Sequence, residues 1–343
     1  MADLIETAIY SQREGAGWTG LGQTIPTAIA QDPRAMAALL GATFNVVKRE
    51  CFYKSASGEY VSVDGREVLV RDDTGAMLEV VSESSYHVDN RQPIDVLEAF
   101  RDELKANNME ISHGAVLDGG RRIAVCALLS ADLDYNVGKG DAVKNYVTLM
   151  TGYNKKDGSK RTRGTIRVVC NTTLEFAIAQ AMKDGKLQTK RASTHFTTST
   201  LSDMVKDIAS DVQADARVYN ALANTAMSAD AVARYFADVL EINVEDLGKF
   251  QANGKSLVST KSRNMLAELA SAYGSAPGAA MATGTDWGAL NAVTYYATHV
   301  KTVRDMTNSG TEAARVSSNF GGDASKLKTR ALELAARSLA VAA

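Results

Sequence analysis

The chain has 343 residues, 45% hydrophobic and 23% charged, with 38 Lys and Arg against 40 Asp and Glu for a formal net charge of −2. Such composition allows a sizeable core, and it excludes both an intrinsically disordered chain and one coated in basic residues. Three cysteines, Cys51, Cys126 and Cys170, are odd in number and widely spaced, which reads as reduced thiols in a cytoplasm. The longest apolar runs, such as Ile123 to Leu129, are far short of the roughly 20 residues that span a bilayer, so no membrane partner is expected. Met1 to Gln12 lacks a basic start followed by an apolar run, so no secretory signal is expected either.

Residues 1 to 60 read as an irregular entry, with Trp18 among glycines and an alanine-rich helical piece from Arg34 to Leu40. Strands are predicted at Glu67 to Arg71 and Met77 to Val81, around the turn signal Asp72-Asp73-Thr74-Gly75. Pro93 suits a first helical position, and Leu97, Phe100 and Leu104 follow at helical spacing. Met109 to Leu117 and Arg121 to Ser130 form a hairpin across Asp118-Gly119-Gly120, where glycine supplies the positive φ of a tight turn. A second strand pair, Val143 to Tyr153 and Gly164 to Cys170, precedes Thr172 and Glu175, whose spacing predicts a capping box and a helix ending near Gly185.

Beyond Ser199 the pattern is helical. Leu201, Val205, Ile208 and Val212 form one stripe, and further helices are expected around Ala231 to Leu240, Ser262 to Tyr273, Trp287 to Val303 and Lys326 to Ala342. Gly274 to Gly284 reads as a linker. The expected fold class is α+β: an antiparallel β-meander flanked by helices in the N-terminal half (1–198) and a helical C-terminal half (199–343).

Charge is unevenly distributed. Between Asn154 and His195 ten basic residues (Lys155, Lys156, Lys160, Arg161, Arg163, Arg167, Lys183, Lys186, Lys190, Arg191) face three acids (Asp157, Glu175, Asp184), so that segment is +7 and the remainder −9. It is either a solvated face or a polyanion site. Strand alternation gives Arg161, Arg163 and Arg167 a common face, with Tyr146 and Tyr153 nearby as packing or stacking residues.

Several motifs resemble chemistry and fail on geometry. Gly254-Lys255-Ser256 looks like the end of a phosphate-binding loop, but five residues separate Gly248 from Gly254 where the loop needs four. His87, His113, His195 and His299 lack metal-ligand spacing. No Gly-x-Ser-x-Gly occurs, and no compact carboxylate cluster suggests a nuclease. No catalytic residue, metal or cofactor is therefore assigned. On a helical wheel, Trp287, Asn291, Thr294, Tyr295, Thr298 and Thr302 share one side, read first as a helix-packing face and second as one that stacks on a base or lines an oligomer contact; Ala289, Val293, Tyr296 and Val300 form the other, expected to face the core.

The stretch Trp287-Gly288-Ala289-Leu290-Asn291-Ala292-Val293-Thr294 with His299, then Phe320-Gly321 and Lys326 to Ala331, resembles the C-terminal signature of a phage- and plasmid-borne family of unknown function. Ile166 to Leu174, after Asp157-Gly158-Ser159, resembles its middle motif, and Trp18-x-x-Leu21-Gly22 extends the likeness towards the start. Tyr295 and Thr298 depart from it, standing where members often carry acids. The order helix, meander, helix between Pro93 and Lys183 also resembles Redβ- and Erf-type single-strand annealing recombinases. That likeness implies an ATP-independent single-stranded DNA binder, forming a homo-oligomeric ring or filament and acting in recombination or replication. Lys155, Lys156, Lys160, Arg161, Arg163, Arg167, Lys190, Arg191 and His195 would be its DNA contacts. The rival expectation is a structural or interaction protein of a mobile element, countering host defence, whose basic patch meets an acidic partner.

Overall fold

The computed structural model describes residues 8–11, 23–82, 91–153, 159–167, 172–174, 188–190, 208–251, 256–304, 311–319 and 322–342. The chain passes through β1 (Ala8–Ser11), β2 (Gln23–Thr24), α1 (Thr27–Ala30) and α2 (Pro33–Leu40). Helix α2 begins where Asp32 accepts the Arg34 and Ala35 amides, with Pro33 in the first turn, and stops at Gly41 with a left-handed φ of 68°.

β3 (Val46–Lys54), β4 (Tyr60–Arg71) and β5 (Met77–Ser82) form a separate antiparallel sheet in the order β3-β4-β5. This corrects the expectation of irregular structure up to residue 60. Much of β3 is exposed on both faces, so its residues carry no apolar alternation for a reader to find. The base of this sheet joins the main core. Arg71, itself buried, lies 4.1 Å from the centre of the Phe44 ring, pairs with both carboxylate oxygens of Asp73 and donates to the Gly119 carbonyl at 3.3 Å.

α3 (Pro93–Lys105) opens with Asp95 accepting the Gln92 amide, and buries Val96, Leu97, Phe100 and Leu104 as the spacing predicted. β6 (His113–Leu117) and β7 (Arg122–Leu128) make the expected hairpin, with Gly119 at φ 68° and Gly120 at φ 93°. Next come β8 (Tyr135–Val137), which folds back on the start of β9 (Asp141–Gly152), then β10 (Ser159–Arg167), β11 (Thr172–Leu174) and β12 (Gln188–Lys190). The large sheet runs β11-β10-β9-β7-β6-β1-β2, antiparallel except for β1 with β2. The capping box at Thr172 is overturned: Thr172 pairs with Arg167 and Leu174 with Thr165, as a strand edge suits β-branched Thr. The rest of the helix expected there, to Gly185, lies outside the described residues.

Alternation on β7 and β9 builds two apolar layers. Ile123, Val125, Ala127, Val147 and Leu149 pack under α2 and α3, while Ala124, Cys126, Tyr146 and Met150 face the other way. The C-terminal helices are α4 (Ile208–Asn224), α5 (Ala229–Val239), α6 (Thr260–Ser275), α7 (Asp286–Tyr295), α8 (Thr311–Asn319) and α9 (Asp323–Ala342). Their core takes in Val137 and Val143 from the sheet. The fold is thus α+β, an N-terminal antiparallel sheet region followed by a helical region.

Helix α7 is buried on every side from Asp286 to Thr294, so both wheel faces are interior. Val293 is core as expected, but Val300 is 38% exposed. The cause is a π-turn over Tyr296–Val300, closed by the Lys301 amide on the Tyr296 carbonyl at 2.7 Å. Such a turn takes more residues than an α-turn, so positions past it lag the regular wheel. At the other end Gly288 is obligatory, since a Cβ there would lie 2.2 Å from the Ala282 carbonyl oxygen.

Candidate nucleic-acid interface

The basic segment lies on the outer strands of the large sheet. β10 carries Lys160, Arg161, Arg163 and Arg167 and pairs along its whole length with β9, from Lys160 opposite Met150 to Arg167 opposite Val143. On its other side β12 pairs with the beginning of β10, setting Lys190 opposite Ser159, Thr189 opposite Lys160 and Gln188 opposite Arg161. The adjacent basic positions 160 and 161 and the sequence-distant position 190 therefore meet at one corner of the sheet. Lys155, Lys156, Arg191 and His195 fall outside the described residues.

Arg163 is different. Its guanidinium meets the Asp215 carboxylate of α4 at 2.5 Å, with side chains 13% and 33% exposed. Burial opposes its charge, but the Asp215 carboxylate, with Asp211 and Tyr219 close by, holds its pKa above the ordinary arginine value. The same pocket pushes two phenols up: Tyr135 through burial and then Asp215, and Tyr219 for the same reasons in the same order. The aromatic groups continue the seam, Tyr135 to Tyr219 at 6.4 Å and Tyr219 to Trp287 at 5.0 Å between ring centres. Trp287 then donates from Nε1 to Asp141 Oδ2 at 2.8 Å, back on β9. So Arg163 stands at the head of a polar and aromatic seam joining sheet to helices, and its charge is already partnered.

The neighbouring aromatics pack. Tyr146 crosses beneath Gly164, where a Cβ would come within 2.4 Å of its ring, and Tyr153 donates its hydroxyl to the Arg91 carbonyl at 2.6 Å. The Trp287 face of α7 likewise packs on α4 and the sheet. Thr294 and Thr298 satisfy their hydroxyls on the Asn291 and Thr294 carbonyls at 2.9 and 2.8 Å. Further along, buried Lys328 donates to Asn319 Oδ1 at 2.6 Å. Asn291 is the exception: buried, it makes no hydrogen bond through either side-chain amide atom. Sequence reading placed this residue on the Trp287 side of the wheel and in the family-like stretch, with nothing to mark its amide as unpartnered.

Gly254 and Lys255 of the phosphate-loop look-alike lie outside the described residues, and only its flanks are seen. A 3-10 turn at Val244–Asp246 precedes it, and Phe250 bridges to Ser256. His113 is buried with Nδ1 at 2.7 Å from the Ser112 hydroxyl, and the His299 ring lies tilted against Tyr295 at 5.0 Å between ring centres. Among the described residues no three His, Cys, Asp or Glu side chains gather as metal ligands, and no helix is long and apolar enough to cross a membrane.

A protein-family model, described as a domain of unknown function (DUF932), matches residues 77–319. That span holds the Ile166 to Leu174 and Trp287 to Thr294 stretches but neither Trp18 to Gly22 nor Lys326 to Ala331. No curated protein and no solved structure matches the chain.

Proposed function

The chain belongs to the DUF932 family of unknown function, and from that footing we propose that it is an ATP-independent, homo-oligomeric protein of a phage or plasmid that binds and anneals single-stranded DNA. The observation that carries the reading is the β10–β12 pairing, which gathers Lys160, Arg161 and Lys190 at one corner of the sheet in the segment of highest positive charge. A strand held by its phosphates keeps its base edges free for a complement, and a rigid sheet bearing cations is a fitting platform. The part of the element order that the described residues keep, helix α3 followed by the antiparallel strands to Arg167, is the part still shared with annealing recombinases.

The test is titration of labelled single- and double-stranded oligonucleotides at two salt concentrations, followed by strand annealing without nucleotide. Preferential single-strand binding that weakens with salt, and annealing without ATP, are expected. No single-strand binding at low salt overturns the reading. One observation favours an interaction protein instead: the Arg163–Asp215 pair removes a cation from the surface. An acidic protein partner held in place of DNA is the outcome that would establish that alternative.

A further inference from the structure

The three-stranded sheet ends in a ribbon. β5 pairs with β4 only from Arg66 to Val70, whereas β3 and β4 go on to pair at Phe52–Ser62, Tyr53–Val61 and Lys54–Tyr60. Between these rungs and the Glu50–Glu67 rung the register shifts, with Val63 to Arg66 of β4 set against Cys51 alone of β3. The turn at its tip closes with the Ser55 amide on the Glu59 carbonyl at 2.8 Å and Gly58 at φ 88°. Phe52, Tyr53 and Tyr60 are 50%, 54% and 75% exposed there. A two-stranded ribbon is marginal in water by itself, and its open edges are templates for another strand.

The root of β3 is closed: the Gln92 side chain accepts the Val46 amide at 2.7 Å and donates to the Val46 carbonyl at 3.1 Å. From Lys48 outward, no strand among the described residues pairs with the outer edge of β3, and residues 46–71 contain no proline to guard it. Charge identifies the occupant. β3 carries Lys48, Arg49 and Lys54 against Glu50, and with Lys48 already paired to Glu67 of β4 at 2.7 Å a balance of +1 is left, while Glu59 to Gly65 carries Glu59 and Asp64, a balance of −2. With Arg66 counted, the ribbon as a whole is neutral, which gives a polyanion no net attraction. Two β3 edges both carry net positive charge and repel, whereas a β3 edge against a Glu59–Asp64 tip brings opposite net charges together.

We propose that the tip of one copy, through Tyr60 to Ser62 and its acidic flank, adds to the basic outer edge of β3 in the next copy. The contact is head-to-tail. Repeated, such a contact closes into a ring or extends as a filament. It supplies the assembly named under the proposed function but rests on the ribbon alone, and since mass and DNA affinity are read separately, either can fail without the other.

The test exchanges charges at four exposed positions and reads mass by light scattering on the full chain. The parent should give multiples of 36.6 kDa. A variant carrying Arg49→Glu with Lys54→Glu, and another carrying Glu59→Lys with Asp64→Lys, should each stay at 36.6 kDa, and an equimolar mixture should assemble again to multiples of that mass, because each variant's tip is then opposite in charge to the other's β3 edge. A monomeric parent across micromolar concentrations, variants that assemble like the parent, or a mixture that stays monomeric would each overturn the proposal. Variants that keep the parent's mass but lose single-strand affinity would assign the arm to nucleic acid and overturn it equally. Should a variant misfold, hydrogen exchange on the unaltered chain decides: Phe52 to Lys54 and Tyr60 to Ser62 should exchange more slowly as protein concentration rises, and concentration-independent fast exchange refutes the contact.

Discussion

Replacing Arg163 by Gln separates a structural cation from a phosphate contact. The change leaves the Asp215 carboxylate, 33% exposed, without the guanidinium now 2.5 Å away. Breaking a fully buried pair costs roughly 3–5 kcal/mol, and an exposed pair contributes about 0.2–1 kcal/mol. For this partly exposed pair a loss of about 1–3 kcal/mol follows, a fall of several degrees in Tm for a chain of this size. A second variant, Lys160→Gln with Arg161→Gln, lies outside the pair. If those two residues contact phosphates, log affinity for a single strand should depend less steeply on log salt, by about 1.4 units at roughly 0.7 per contact. Thermal melting and oligonucleotide titration at several salt concentrations read both variants. Arg163→Gln should move Tm and leave the salt slope alone, and the double variant should do the reverse. An Arg163→Gln protein with unchanged Tm and a slope flattened by about 0.7 would refute the assignment of Arg163 to the seam.

Val293 is fully buried on α7, so Val293→Asp should cost several kcal/mol and abolish most soluble protein, checked by expression and thermal melting. Gly288→Ala would press a Cβ to 2.2 Å from the Ala282 carbonyl oxygen and should destabilise by about 1–3 kcal/mol, read by denaturant unfolding. Asn291→Leu should hold or raise Tm, because removing a buried amide without partners relieves an unfavourable burial; a clear drop in Tm would show that the amide is satisfied in solution. Acid should loosen the base of the small sheet. Asp72 is held below the usual carboxylate range by the Asn45 side chain and amide, and Asp73 by Arg71. Their stabilisation is complete above the unfolded carboxylate value near ~3.9 and fades as pH falls through the lower folded values. Faster exchange of the Asn45 amide below about pH 4 is the expected sign.

Elements whose burial is one-sided were legible in the sequence. α3 shows Leu97, Phe100 and Leu104 at helical spacing, and the β6–β7 hairpin shows its glycines. β3 was not, since its outer half has solvent on both faces and so no period to betray it. Thr172 misled for a related reason: a Ser/Thr-x-x-Glu spacing is a local signal, and the open edge of β10 offered Thr172–Leu174 a ladder that local spacing does not record. On α7 the Trp287 side packs as it was first read, with Thr294 and Thr298 satisfying their hydroxyls on carbonyls of their own helix, and on the other side Val300 departs from the wheel. Polarity there did not mean exposure.

The placement of Arg163 was within reach of the sequence. The stripe Ile208, Val212, Tyr219 and Leu222 is the buried face of α4, and Asp215 falls on it three residues after Val212 and four before Tyr219. An acid at a core position of an amphipathic helix is costly unless a cation meets it, so the stripe itself calls for a buried Lys or Arg from another element. What it cannot say is which one. That follows from β10 standing outside β9 with Arg163 opposite Val147, a register fixed only by the assembled sheet. The excess of +7 in the basic segment is therefore an upper bound on what a phosphate backbone would meet, since Asp215, outside that segment, already neutralises one of its arginines. Acids on apolar helical stripes should be subtracted before basic residues are counted as nucleic-acid contacts, and each one subtracted lowers the expected salt slope by about 0.7.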